Sequence, residues 1–145
     1  MLIGIPGSGK STYSKVLSNK NNAIIVSSDK IRKDNPGINE AKVFPEVYRL
    51  CAHYLAQGID VILDATNIDY MVRKSNIDEI RAYYRDFEVV AYYFNVPVDI
   101  CKKRVEIRNL NKEELYLPVE VCSLYSKKIQ IPVYEEGFIK IIEIN

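Results

Sequence analysis

The stretch "GIPGSGKST", Gly4 to Thr12, decides how this chain is read. Gly4, Gly9, Lys10 and Ser11 fit the pattern G-x-x-x-x-G-K-[ST] without a mismatch, directly after a short apolar run and at the start of a segment with helical period. Glycines let successive backbone N–H groups curl around an anion. A helix beginning at Lys10 adds the positive end of its dipole, and the lysine ammonium reaches the outer phosphate oxygens of a nucleotide. The expected cradle is Gly4, Pro6, Gly7, Ser8, Gly9, Lys10, Ser11 and Thr12, with the Ser11 hydroxyl offered to Mg2+.

Outward from the loop, apolar runs at "AIIVSS" (23–28), "IDVILDAT" (59–66), "FEVVAYYFNV" (87–96) and "FIKIIEI" (138–144) join residues 1–3 as predicted strands. Segments 10–19, 40–57, 70–84, 97–108 and 118–130 have helical length and period. This alternation predicts an α/β fold: a five-stranded parallel sheet with helices on both faces, in a single domain over 1–145. Its binding crevice is expected at the carboxyl ends of the strands.

The 145 residues fit one core, and 48% apolar with 27% charged residues is the balance of a globular protein, neither disordered nor membrane-spanning. A net charge of +1 excludes a broad basic coat, so any polyanion has to bind locally. Cys51, Cys101 and Cys122 form no C-x-x-C pair, which argues against a disulfide framework or zinc site and for buried thiols. No charged-then-apolar leader precedes the loop, so a cytoplasmic location is expected.

A second acid bears on what the phosphates are used for. The strand "VILD" ends in Asp64, as a carboxylate holding the Mg2+ shell does. Ala65 follows it in place of the Glu with which a motor ATPase activates water. A GTPase switch is also disfavoured, because "NKNN" (19–22) and "NKEE" (111–114) lack the final Asp of [NT]-K-x-D.

After the second strand, "SSDKIR" (27–32) puts Asp29 at the carboxyl end and Arg32 one helical turn on. A carboxylate there can accept a hydroxyl proton, and the arginine can hold an anionic part of an acceptor. The bland alternative is that Asp29, Ser27 or Ser28 caps the short helix that follows; one carboxylate could serve both roles. Further on, "CKKRVEIR" (101–108) spaces Arg104 and Arg108 by one turn, on a face shared with Ile100 and Ile107. The polar stretch "NLNKEELYLP" (109–118) and another helix follow, the pattern of a lid whose arginines stabilise a moving phosphoryl group; a solvated charged face is the alternative. His53 and the eleven tyrosines are read as structural.

In order, "GIPGSGKST", "SSDKIR", "DATN" (64–67), "RVEIR" (104–108) and the spacing of Pro118, Tyr125, Pro132 and Tyr134 resemble the kinase domain of bacteriophage-type polynucleotide 5′-hydroxyl kinases, small P-loop kinases, over nearly the whole chain. The resemblance implies a five-stranded P-loop kinase fold with a helical lid. It further implies transfer of the ATP γ-phosphate, with Mg2+, to the 5′-hydroxyl of DNA or RNA, as in nucleic acid repair. It assigns Asp29 as general base, Arg32 to the acceptor's phosphate, Arg104 and Arg108 to the donor phosphates, and Asp64 and Asn67 to the acceptor side. Ala65 stands where the phage enzyme has an acid, and no D-x-D-G-T phosphatase motif is present. A small-molecule kinase of the same fold (sugar, nucleoside, antibiotic or aminoacyl-tRNA acceptor) and a nucleotide-binding regulatory module are the other readings.

Overall fold

The computed structural model describes residues 1–145. All five expected strands form: β1 (Leu2–Ile3), β2 (Ile24–Ser27), β3 (Val61–Asp64), β4 (Val89–Phe94) and β5 (Phe138–Ile144). Between them lie α1 (Lys10–Asn21), α2 (Ser28–Asp34), α3 (Val43–Ala56) after a 3-10 turn at Glu40–Lys42, α4 (Tyr70–Tyr83), α5 (Val98–Asn109) and α6 (Glu120–Lys128). No helix is long and apolar enough to cross a membrane.

The expectation of one five-stranded sheet is corrected. Strands β1, β4 and β5 form a parallel sheet with β4 in the middle, and β2 pairs with β3 in a separate parallel sheet. With two residues, β1 is too short for a ladder on both of its edges. Its second edge is satisfied by two single bonds instead: the Gly4 amide donates to the Thr66 carbonyl at 3.0 Å, and the Asn67 side-chain amide donates to the Leu2 carbonyl at 2.7 Å.

Side-chain alternation along the strands separates the two faces. Leu2 and Ile62 pack with Leu17 of α1, whereas their neighbours Ile3 and Leu63 face the other way, Ile3 toward Ile77 of α4 and Leu63 toward Val43, Val47 and Cys51 of α3 and Ile80 of α4. A further cluster of Ile5, Ile68, Cys101, Val105 and Cys122 fills the space under the glycine-rich loop. All three thiols are buried, and burial pushes the Cys51 thiol up to about 12. In α5 the apolar face is therefore Cys101 and Val105, while Ile100 and Ile107, expected on the face of Arg104 and Arg108, are exposed. The expected lid stretch is coil and turn between α5 and α6, with α6 following it, and it is closed by the Asn109 side chain, which donates to the Leu117 carbonyl and accepts from its amide at 2.7 and 3.1 Å.

Asn67 adopts the left-handed region at φ 48°, which Asn tolerates better than most residues. Its oxygen accepts from the Asn76 amide at 2.8 Å, and its carbonyl accepts from Arg73 Nη1 at 3.1 Å. Arg73 is wholly buried. It donates through Nε and Nη2 to Glu136 at 2.6 and 2.7 Å and through Nη1 to the Gln130 carbonyl at 2.9 Å, which binds the last loop before β5 to α4. Replacing Asn67 with Ala leaves the Leu2 carbonyl and the Asn76 amide without partners in the interior. Urea denaturation of Asn67→Ala is expected to show a stability loss of about 3 kcal/mol at an unchanged m-value.

Candidate phosphate and acceptor site

The carboxyl ends of β1, β2 and β3 open into a crevice of about 670 Å3. Pro6, Gly7, Gly9, Lys10, Ser11 and Thr12 line one side of it. Gly7 sits at φ 79°, where a Cβ would stand 2.3 Å from the Cys101 carbonyl oxygen, so only glycine lets α5 pack against the loop. Gly9, at φ 96°, starts α1 without any side-chain cap. The first amides of α1 therefore remain available to an anion, as the positive end of the helix dipole requires.

Lys10 is buried, and its ammonium donates to the Ile5 carbonyl at 2.8 Å and to the Ser8 hydroxyl at 3.4 Å. Burial lowers its pKa to about 8 against the pull of Asp64, Cys101 and Asp29, and Arg108 adds to the lowering. Asp64, at the end of β3, is also buried. Burial raises its pKa, and the Ser11 and Ser14 hydroxyls and Lys10 counter the rise. An exposed Ser11 hydroxyl beside this carboxylate fits Mg2+, which takes one or two protein oxygens and completes its shell with phosphate oxygens and water.

Arg104 donates to the Gly7 carbonyl at 3.3 Å, so α5 brings a guanidinium onto the loop. Arg108 lines the crevice and donates to the Leu115 carbonyl at 3.0 Å, while its buried Nε has no hydrogen-bond partner. From the lid, Glu114 stands 4.0 Å from that Nε and 3.9 Å from Lys33 on α2, spanning the crevice mouth.

On the other side, α2 is capped by Ser27, whose hydroxyl accepts from the Lys30 amide at 3.3 Å. The capping alternative for Asp29 thus falls to Ser27, and the exposed Asp29 carboxylate accepts from Arg32 Nη1 at 3.0 Å. Asp29, Arg32 and Asp64 all line the crevice.

Three expected site residues do not line it. Gly4 and Ser8 are buried on the inner side of the loop, where a Cβ on Gly4 would meet Ser8 Oγ at 2.8 Å. Asn67, expected on the acceptor side, is corrected to an interior position, its amide spent on Leu2 and Asn76. Conversely, Phe44 lines the crevice, as do Tyr116 and Tyr125, for which composition suggests a structural place. An exposed aromatic in a polar stretch was a usable signal for Tyr116; Phe44 and Glu40, which pairs with Arg32, carried none.

An AAA domain model matches residues 1–130. The chain belongs to that family. It is 26% identical to a protein of Acanthamoeba polyphaga mimivirus named as a bifunctional polynucleotide phosphatase/kinase, over 97% of this chain and 31% of that relative, so it spans about a third of the relative's length. Among solved structures, it resembles a Chloroflexus aurantiacus protein named as a kinase, with a TM-score of 0.77 at 17% identity, covering 99% of this chain and 81% of that one. It also resembles Chaetomium thermophilum Kti12, solved with ADP-AlF3, with a TM-score of 0.74 at 16% identity, covering 99% and 86%. The fold of this AAA domain protein is the α/β P-loop kinase fold.

The low pKa of Lys10 makes phosphate binding pH-dependent. A polyphosphate on the loop raises that pKa, so its full attraction is present below about pH 8 and falls by up to tenfold per pH unit above it, until the raised value is reached. Calorimetric titration of ATP at pH 9, in two buffers of different ionisation enthalpy, should show uptake of close to one proton. Lys10→Met should show much less.

Proposed function

We propose that this protein is an ATP-dependent kinase that phosphorylates the 5′-hydroxyl of DNA or RNA. The observation that carries the reading is the shared crevice. The loop with Lys10 and Ser11 lies on one side and Asp29 bonded to Arg32 on the other, with Arg104 and Arg108 between them and the lid. A mere nucleotide sensor needs no carboxylate and guanidinium at that second position. The motif order and the name of the mimivirus relative, a bifunctional polynucleotide phosphatase/kinase, support a polynucleotide acceptor.

In this reading the loop amides and Lys10 bind the donor phosphates, joined by Arg104 and by Arg108 once it leaves the Leu115 carbonyl. Ser11 and Asp64 would hold Mg2+, which neutralises phosphate charge when bound. Asp29 takes the proton of the 5′-hydroxyl as its oxygen bonds to the γ-phosphorus. The bond from that phosphorus to the β,γ-bridging oxygen breaks, and ADP departs with its charge held by Lys10 and the arginines. Arg32 grips the phosphate just 3′ of the reacting nucleoside, and the lid excludes water. A small-molecule acceptor is the second reading. It is favoured by the observation that Arg32 already holds two carboxylates, Asp29 and Glu40.

Two variants test the assignment. Asp29→Asn should retain ATP affinity while turnover falls by about 10²-fold or more, since the amide lacks a basic oxygen. Undiminished turnover would remove the general-base role. Lys10→Ala should abolish transfer to every acceptor with saturating ATP and Mg2+, read as labelled γ-phosphate on 5′-hydroxyl oligonucleotides, nucleosides and sugars.

A further inference from the structure

Arg32 is not free in this structure. Its Nε donates to both carboxylate oxygens of Glu40, at 3.0 and 3.2 Å, and its Nη2 donates to Glu40 Oε1 as well, while Nη1 is held by Asp29. Nε and Nη2 form the side fork of the guanidinium, a shape that takes a carboxylate or a phosphate equally well. Glu40 thus occupies the groups an acceptor phosphate would use.

The two partners differ in how easily they let go. The Glu40 side chain is 68% exposed and sits on the single 3-10 turn before α3, so it can swing into water without stranding a buried charge. The Arg32 side chain is 27% exposed and is anchored on α2 beside Asp29. With Asp29 and Glu40 both bound, the cluster carries one net negative charge, which opposes an approaching anion. Releasing Glu40 makes it neutral and opens the fork.

We infer that Glu40 sets acceptor selectivity: it fills the side fork of Arg32 in the free protein, and an acceptor phosphate binds by exchanging with it. This rests on the proposed role of Arg32 as the grip for the phosphate 3′ of the reacting nucleoside. An acceptor without that phosphate cannot displace the carboxylate, so Arg32 stays neutralised and gives such an acceptor no help. The cost of the exchange shows in the KM of phosphorylated acceptors, because the released carboxylate takes no part in the transfer step.

The test is steady-state kinetics of the full chain with saturating ATP and Mg2+, comparing cytidine 3′-phosphate with cytidine for wild type, Glu40→Gln, Glu40→Asp and Arg32→Ala, with a thermal melt of each variant. Glu40→Gln should lower the KM for cytidine 3′-phosphate by about fivefold, with kcat changed less than about twofold. Glu40→Asp, which keeps the charge but shortens the reach, should move KM in the same direction. An unchanged or raised KM in Glu40→Gln, with wild type favouring the phosphorylated acceptor and Arg32→Ala losing that preference, overturns the role of Glu40 and leaves the polynucleotide reading intact. A wild type indifferent to the 3′-phosphate, with Arg32→Ala also without effect, overturns both.

Discussion

One asparagine side chain, together with a single backbone bond from the Gly4 amide to the Thr66 carbonyl, carries the hydrogen bonding that the first strand is too short to supply. The Asn67 side-chain amide reaches the Leu2 carbonyl and so joins the sheet containing β1 to the one containing β3. The same side chain accepts from Asn76, and its backbone carbonyl accepts from Arg73, whose charge is neutralised by Glu136 in the interior. Buried ionic groups add little net stability, but losing one partner of such a pair is costly, and that asymmetry pins the left-handed turn after β3 in one arrangement. The consequence reaches the site, because Asp64 lies three residues before Asn67 and the glycine-rich loop begins two residues after Leu2.

Charge is divided across the crevice. Lys10, Arg104 and Arg108 gather at the loop, where burial of the lysine and the nearness of Arg108 make the free site poised for polyanion. On the opposite side Asp29 lines the crevice with Arg32, which Glu40 also holds from outside the lining, and Asp64 stands at the boundary. Two sites of opposite character on one crevice suit a reaction that moves a phosphoryl group from an anionic donor to a hydroxyl acceptor. The lid belongs to this balance as well. Arg108, which lines the crevice, donates to the Leu115 carbonyl, and Glu114 stands near both Arg108 and Lys33, so the segment between α5 and α6 is held by cations from two helices.

Local chemistry made much of this legible from sequence. The loop pattern, the alternation of apolar runs with helical segments, and the single-turn spacings of Asp29 with Arg32 and Arg104 with Arg108 all act over a few residues. The structure brings these groups into one crevice. Asn67 was legible as part of "DATN" but not in its role, since its partners Leu2 and Asn76 lie 65 and nine residues away. The Arg73–Glu136 pair joins residues 63 apart and has no short-range signature.

The sequence by itself therefore determined the element types, the order of the strands along the chain and the phosphate-binding loop, because each depends on periodicity, glycine freedom or capping over one or two turns. Tertiary structure alone decided that the sheet divides in two, that an asparagine side chain bridges the division, and that Glu40 occupies Arg32. In each case the deciding contact joins groups from different elements, and hydrogen-bond satisfaction in the folded interior, or the nearest opposite charge at the crevice, selects it.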